Sequence, residues 1–279
     1  MNPKSAYLME NFEEAPRLEV KTDPETVRKQ AQWCGVRPGM RVLDAGCGPG
    51  KTTSILYEMI QSGGEIVGLD YSEERILHAR QNYGGRPGMD YRVHDLRDPM
   101  KGVGLFDLIW VRFVLEYNRD EGAQLVSNLT ACLKPGAFLC LIDLDYNCLS
   151  HYELPSNMEQ MFFKIMALLE HRHNFDPYAG RKLYSYLYDL NFEEINLELQ
   201  AHHLIYGKIK DGDLFNSIKK MEIASLKTMK AEELFVGYHG GREAFFADFM
   251  KFFLDPRRFT YTPAILCKGR KPLSFSPNS

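Results

Sequence analysis

The stretch VLDAGCGPG, residues 42–50, decides the fold, because it carries a short apolar run into a helical pattern through a glycine-rich turn. Gly46 and Gly48 let the backbone turn tightly and approach a ligand closely, and Gly50 allows close packing of the following helix. The spacing G-x-G-x-G is one residue shorter than the G-x-G-x-x-G of dinucleotide sites. A strand, turn and helix of this kind predict a doubly wound, Rossmann-like α/β sheet.

Apolar runs alternate with helical patterns on both sides of this turn. The tetrapeptide TDPE at 22–25 supplies a capping residue, a first-turn proline and a first-turn acid for a helix that ends near Trp33. Strands are predicted at 40–46, 65–70, 89–95, 105–117 and 137–145, and helices at 51–60, 72–83 and 120–133. This alternation predicts a parallel sheet covered by helices on both faces.

The rhythm is less regular after Asp145. Helices are predicted at 158–171 and 181–190, and strands at 192–206 and 257–269, with a helical segment rich in Met and Phe between the two strands. We expect one domain over 1–279. Its parts are an N-terminal helical cap (1–35), a cofactor-binding core (36–146) and substrate-side insertions (147–180 and 208–256).

Composition narrows the class of protein. The chain has 279 residues, of which 44% are hydrophobic and 25% charged, and these fractions are typical of a globular protein. A net charge of -3 argues against a polycation that coats nucleic acid. No apolar run approaches the roughly 20 residues that cross a bilayer, and the six cysteines form no C-x-x-C pair. We expect a cytoplasmic protein with no membrane or nucleic-acid partner.

Three aspartates end the first three strands and indicate the ligand. Asp44 precedes the first glycine by two positions, where a carboxylate repels a pyrophosphate but attracts a cationic ligand such as S-adenosylmethionine. Asp70 can accept the ribose hydroxyls, and Tyr71 can pack against adenine. Asp95 can accept the adenine amine beside an apolar wall from Leu96. For each aspartate alone, a turn-capping role is the equal alternative. The carboxyl ends of parallel strands meet at one crevice, so the three together predict a nucleoside site.

These motifs resemble those of a known enzyme family. The matching segments are VLDAGCGPG (42–50), GLDYS (68–72), HDL (94–96), FDLIWVRFVLEY (106–117) and LKPGAF (133–138). The chain resembles the class I S-adenosylmethionine-dependent methyltransferases, in the branch of ubiquinone/menaquinone-biosynthesis and other small-molecule enzymes. The resemblance implies a seven-stranded sheet of order 3-2-1-4-5-7-6 with the last strand antiparallel. It also implies S-adenosylmethionine as methyl donor and S-adenosylhomocysteine as product.

The resemblance implies further cofactor contacts. Arg112 and its neighbour Phe113 would lie beside the methionine moiety, and an early arginine, Arg17, would close over the cofactor. Ala137 stands where the family usually has a second glycine.

No universal catalytic residue is expected, because methyl transfer needs placement more than acid or base chemistry. The catalytic residue therefore remains unknown, and the candidates lie past the fourth and fifth strands: Glu116, Tyr117, Asp143, Asp145 and His151. The alternatives are that one of the two aspartates caps a turn and that His151 is a solvated loop residue. The sequence has no metal-binding motif, so no metal is expected.

The helical segment 208–256 is predicted to cover the acceptor pocket. Phe245, Phe249 and Phe252 form one aromatic stripe, and Phe246 and Phe253 form another. The second stripe either lines the pocket or contacts a second subunit of a homodimer.

Two tyrosines elsewhere, Tyr184 and Tyr188, are expected to pack on the sheet. The leading functional hypothesis is methyl transfer to a small organic acceptor. The alternatives are an RNA or protein methyltransferase, a non-catalytic relative that binds the cofactor, and an NAD-dependent oxidoreductase, which Asp44 disfavours.

Overall fold

Seven strands form a single mixed sheet in a computed structural model that describes residues 18–19, 22–146, 149–228 and 234–273. The strands are β1 (Arg41–Ala45), β2 (Glu65–Asp70), β3 (Met89–Val93), β4 (Phe106–Arg112), β5 (Leu133–Leu144), β6 (Glu193–Tyr206) and β7 (Phe259–Arg270). Their order is β3-β2-β1-β4-β5-β7-β6, and β7 is antiparallel to both of its neighbours. The predicted fold class and strand order are therefore confirmed.

Helices cover the sheet and extend beyond it. They are α1 (Pro24–Cys34), α2 (Lys51–Ile60), α3 (Glu73–Tyr83), α4 (Gly122–Thr130), α5 (Ser156–His173), α6 (Leu183–Asp189), α7 (Asp211–Thr228) and α8 (Gly241–Leu254). Short 3₁₀ turns occupy Leu115–Tyr117 and Ala179–Lys182. No helix among the described residues combines the length and the apolar character that a membrane span requires.

Local capping explains where the first helix begins and ends. The Asp23 carboxylate accepts hydrogen bonds from the backbone N–H groups of Glu25 and Thr26, at 3.3 and 3.1 Å. Pro24 occupies the first helical turn, where its missing N–H costs nothing. Gly35 ends the helix with a φ of 93°, a left-handed conformation that favours glycine. The structure matches the helix that the sequence predicts here.

The fifth strand begins earlier than predicted. The helix expected over 120–133 ends at Thr130, and β5 starts at Leu133 instead of 137. Leu133 pairs with Phe106 at the start of β4, and the register then shifts before Leu108 pairs with Phe138. The extra residues on the β5 side of this bulge lengthen the strand without disturbing the sheet.

The C-terminal helices have an apolar core of their own. A cluster of buried residues from α5, α7 and α8 includes Phe162, Met221, Phe245 and Phe249. It reaches the end of β6 through Ile205. These helices therefore form a second layer of packing beside the sheet.

The prediction that Tyr184 and Tyr188 pack on the sheet is wrong. Both are exposed, at 43% and 63%, and their rings stack on each other at 5.8 Å. Leu183 and Leu187 take the buried face of α6 instead. The two leucines face the core, and the two tyrosines lie on another face of the helix because a short amphipathic helix buries only one face.

Candidate active site

A cleft of about 740 Å³ opens at the carboxyl ends of β1, β2, β3 and β4. This edge of a parallel sheet is where doubly wound folds bind ligands. Five of the predicted cofactor residues line the cleft: Gly46, Asp70, Tyr71, Asp95 and Leu96. The structure therefore brings together in one cleft five of the residues that the sequence predicts at the strand ends.

The glycine turn forms one wall of the cleft. The N–H groups of Gly46 and Cys47 both donate to the Leu69 carbonyl, at 2.8 and 2.9 Å, and this fixes the turn against β2. Gly46 has a φ of 82°, and a Cβ atom there would lie 2.3 Å from Cγ2 of Val114. No larger residue fits at this position without displacing Val114, which also lines the cleft.

Asp70 is held in place before any ligand binds. Its Oδ2 accepts the Gly48 N–H at 3.0 Å, and its Oδ1 accepts the Ser72 N–H at 3.0 Å. The Arg75 guanidinium donates to Oδ1 through Nε at 3.1 Å and Nη2 at 2.9 Å, and both side chains are buried. The carboxylate is thus aimed and charge-compensated at the end of β2.

Arg75 is the main site residue that the sequence reasoning missed. Burial lowers the pKa of Arg75, but the Asp70 carboxylate outweighs this and raises it above its ordinary value. The guanidinium also lies over the Tyr71 ring, 4.9 Å from its centroid. A signal was available, because an arginine in the first turn of a helix opposes the helix dipole unless an acid compensates it.

Asp95 is paired in a similar way at the end of β3. Arg97 donates to it through Nε at 2.9 Å and Nη2 at 2.8 Å, and the Arg97 N–H donates at 3.0 Å. Leu96 is buried next to it and contributes an apolar surface to the cleft. The contact of Asp95 with an adenine amine stays a prediction.

Asp44 is buried and Arg112 is half-buried, and neither is among the residues that line the cleft. The Thr53 hydroxyl donates to Asp44 at 2.6 Å. Burial raises the pKa of Asp44 to about 7, although this hydrogen bond and the Arg112 charge act in the other direction. Burial lowers the pKa of Arg112 to about 10, against the attraction of Asp44. The site therefore holds a carboxyl that titrates near neutral pH.

The early segment of the chain reaches this region. Arg17 lies outside the described residues, so its predicted role stays a prediction. Its neighbour Leu18 approaches the glycine turn at Gly48. The Lys51 ammonium donates to the Glu19 carbonyl at 2.5 Å, and the Tyr83 hydroxyl donates to the Glu19 carboxylate at 2.7 Å.

Three of the five catalytic candidates, Glu116, Asp143 and Asp145, do not line the cleft. Asp143 accepts the N–H groups of Leu115 and Glu116, at 2.8 and 3.2 Å, and so holds the 3₁₀ turn after β4. Burial, and then the nearby Glu116 carboxyl, raise the pKa of Asp143 well above its ordinary value. Asp145 forms a two-point ion pair with Arg181, both hydrogen bonds being 2.9 Å long. These acids support the backbone around the site.

The other two candidates line a second cavity of about 950 Å³. It lies among α5, α7, α8 and the adjoining parts of β6 and β7, and Tyr117 lines both this cavity and the cleft. His151 is in its wall, with Nδ1 2.9 Å from the Thr260 hydroxyl. Its ring meets Phe162 and Phe253 edge-on, at 5.4 and 5.9 Å. His151 is therefore a residue of an aromatic cavity and not a solvated loop histidine.

The segment predicted to form a cover contributes two helices to this cavity. Met221 and Ala224 of α7 and Phe249 and Phe253 of α8 all line it. Phe249 and Phe253 come from different aromatic stripes, so both stripes face the interior. Within the described ranges, no group of three or more His, Cys, Asp or Glu side chains is placed to hold a metal ion.

Sequence comparison relates this chain to known methyltransferases. Residues 42–136 match the family model described as a methyltransferase domain. A trans-aconitate 2-methyltransferase of Delftia acidovorans is 26% identical over 59% of this chain and 58% of its own length. A ubiquinone biosynthesis O-methyltransferase of Bradyrhizobium is 34% identical over 39% of this chain and 42% of its own length. The chain thus spans about half the length of these curated relatives.

The fold has solved counterparts as well. A crystal structure of a putative methyltransferase from Bacillus halodurans superposes with a TM-score of 0.58 at 18% identity, over 89% of this chain and 99% of the other. At this identity the likeness concerns the fold alone. The matched domain and the seven-stranded sheet together support the predicted enzyme class, an S-adenosylmethionine-dependent methyltransferase with a class I fold.

Proposed function

We propose that the protein transfers a methyl group from S-adenosylmethionine to a small organic acceptor. The cleft at the strand ends takes the cofactor, and the second cavity takes the acceptor. The observation that carries the proposal is the position of Tyr117, whose side chain lines both spaces. The two spaces adjoin at this residue, so the acceptor and the methyl group can meet beside it at the roughly 3–3.5 Å that direct transfer requires.

The residues of the cleft fit this cofactor. In this proposal Asp70 accepts the ribose hydroxyls, Leu96 and Tyr71 pack against the adenine, and Asp95 accepts its amine, and all four residues line the cleft. In this proposal the buried Asp44, which does not line the cleft, supplies negative charge toward the ammonium group through the cleft wall. The cofactor, when bound, supplies a methyl group activated by a sulfonium. The protein contributes orientation and a space from which water is excluded.

A small acceptor is favoured over RNA or protein by the way the second cavity is built. Buried Phe and Met side chains of α5 and α8 wall it, and an extended polymer needs a basic, open surface instead. The two curated relatives act, by name, on trans-aconitate and in ubiquinone biosynthesis. The branch suggested by the sequence, that of ubiquinone- and menaquinone-type enzymes, forms part of this proposal.

Transfer of labelled methyl groups to a metabolite extract tests the function. We expect label from S-adenosylmethionine to appear in a low-molecular-mass fraction and to require the protein. Label confined to the RNA or protein fraction would contradict the small-acceptor proposal and favour the alternative. A protein that binds the cofactor but labels no fraction would be the non-catalytic relative.

His151 is expected to promote turnover without affecting cofactor binding. An acceptor that keeps its proton needs a base, and Thr260 orients the imidazole within the cavity. The His151→Ala variant should lower kcat for such an acceptor by about 10²–10⁴-fold, the usual effect of losing a general base. The control is His171→Ala, at an exposed position near the end of α5. Equal kcat values for His151→Ala and the wild type would show that His151 takes no proton.

Cofactor affinity is expected to increase as pH rises from about 6 to about 7.5. Burial raises the pKa of Asp44 to about 7, so the carboxyl must lose a proton before it attracts the ammonium. The same raised pKa means that Asp44 contributes stability at low pH that is lost as pH rises through about 7. Calorimetric titrations of wild type and Asp44→Asn should differ in this pH range, because titration of the cofactor itself is common to both. Parallel pH profiles of the two proteins would show that Asp44 does not cause the pH dependence of cofactor affinity.

A further inference from the structure

One helix presents a polar face to the second cavity. The side chains of α7 that line it include Asp213, Asn216, Ser217 and Lys220. Their spacing of three, four and seven residues places them along one face of the helix. These side chains are half-buried, and the side of a helix that lines a cavity is usually apolar, so this polar row calls for an explanation.

The opposite walls are apolar. Phe162 and Leu169 from α5 and Phe249 and Phe253 from α8 are all buried and line the same cavity. Polar groups come from α7, from Tyr117 and His151, and from the strand side (His203, Thr260 and Thr262), so apolar contact is concentrated on α5 and α8. A ligand that fills the cavity has to be apolar on one side and polar on the other.

The charges of the wall set a limit on the charge of the ligand. Among the described residues that line the cavity, Lys220 is the only lysine or arginine and Asp213 the only acid. Two histidines, His151 and His203, and Tyr117 complete the titratable groups in the wall. An acid with several carboxylates would place uncompensated charge against buried aromatic rings, which is costly.

We propose that the second cavity takes an acceptor with an apolar ring or chain and a polar head that carries no more than one charge. The head contacts Asn216, Ser217 and Lys220, and the apolar part packs against Phe249 and Phe253. This inference rests on the proposed function, because it names the acceptor class of the same site. It separates this protein from an enzyme that acts on a tricarboxylate.

Two probes test the inference in the presence of S-adenosylhomocysteine. The first is 1-anilinonaphthalene-8-sulfonate, which has aromatic rings and one negative charge, and the second is trans-aconitate, which has three carboxylates. We expect the first to bind at one saturable site, followed by its fluorescence, and the second not to displace it. Displacement by trans-aconitate at similar concentrations, or the absence of saturable binding of the first probe, would overturn the proposal.

Variants on α7 locate the binding site. Ala224→Phe fills the cavity and should weaken binding of the fluorescent probe by about tenfold or more, and Lys220→Met by about tenfold. The control is Phe215→Ser on the outer face of the same helix, where the side chain is 56% exposed. It should leave the affinity unchanged. Ser217→Leu replaces Ala224→Phe if the latter fails to fold.

The outcomes distinguish this inference from the proposed function. Calorimetric titration with S-adenosylmethionine should give the same affinity for all the folded α7 variants, because none of them lines the cleft. Probe binding that is insensitive to Ala224→Phe and Ser217→Leu would refute the acceptor class while leaving cofactor binding intact. Loss of cofactor binding in the wild type would refute the function itself.

Discussion

Replacement of Gly46 by alanine is expected to weaken S-adenosylmethionine binding by about a hundredfold. The new Cβ would lie 2.3 Å from Cγ2 of Val114, a branched side chain close to its backbone that cannot swing away. Val114 would have to move, and it lines the cleft. Calorimetric titration of the variant with S-adenosylmethionine measures the loss.

Gly39 provides the matched control for this substitution. Its φ of 81° is nearly that of Gly46, but a Cβ atom there has no neighbour within 4 Å. Gly39→Ala should therefore cost about 1–2 kcal/mol of stability through backbone strain alone, with unchanged cofactor affinity. Equal affinities for the two variants would mean that the close approach at Gly46 does not shape the cofactor site.

Replacement of Asp70 by asparagine is expected to reduce both stability and cofactor affinity. The change leaves the buried Arg75 cation without its counter-charge, which costs about 3–5 kcal/mol of unfolding free energy. It also weakens a charged hydrogen bond to the ribose, worth about 1.5–3 kcal/mol. Chemical denaturation and calorimetric titration measure the two effects separately.

A double variant separates the two roles of Asp70. Asp70→Asn with Arg75→Met removes both charges, so we expect stability to recover most of its loss. Affinity should stay low, because the charged carboxylate that accepts the ribose hydroxyls is still missing. Recovery of affinity along with stability would show that Asp70 only holds Arg75 and does not contact the cofactor.

The sheet was predictable because its signals are local. The glycine turn at 42–50 and the alternation of strands and helices specify β1, α2 and β2, whose observed bounds match those predicted to within a residue. The reversed last strand came from the family resemblance and not from residue patterns, since two apolar runs do not reveal their relative direction.

The partners of the site acids were not predictable in the same way. Asp70 and Asp95 were placed at the strand ends correctly, but their pairing with Arg75 and Arg97 depends on side-chain directions that periodicity does not give. Asp143 turned out to bind backbone N–H groups, the capping role that the sequence left open. Residue type and spacing thus located the site, but they did not show which carboxylates already have partners within the protein.

The second cavity could be anticipated only in outline. An apolar helical segment between β6 and β7 indicated a cover, and α7 and α8 do line a cavity. The polar row on α7 was not singled out, because a polar helix face ordinarily points to solvent. The polar row on α7 faces a cavity only because α5, which lies far away in the sequence, forms the opposite wall.

Calorimetric titration of the protein with S-adenosylmethionine, S-adenosylhomocysteine and NAD tests the central claim most directly. The buried Asp44 and the shortened glycine turn predict saturable binding of the first two at one site per chain and no binding of NAD. Tight binding of NAD with no heat from S-adenosylmethionine would contradict the account and assign the cleft to a dinucleotide.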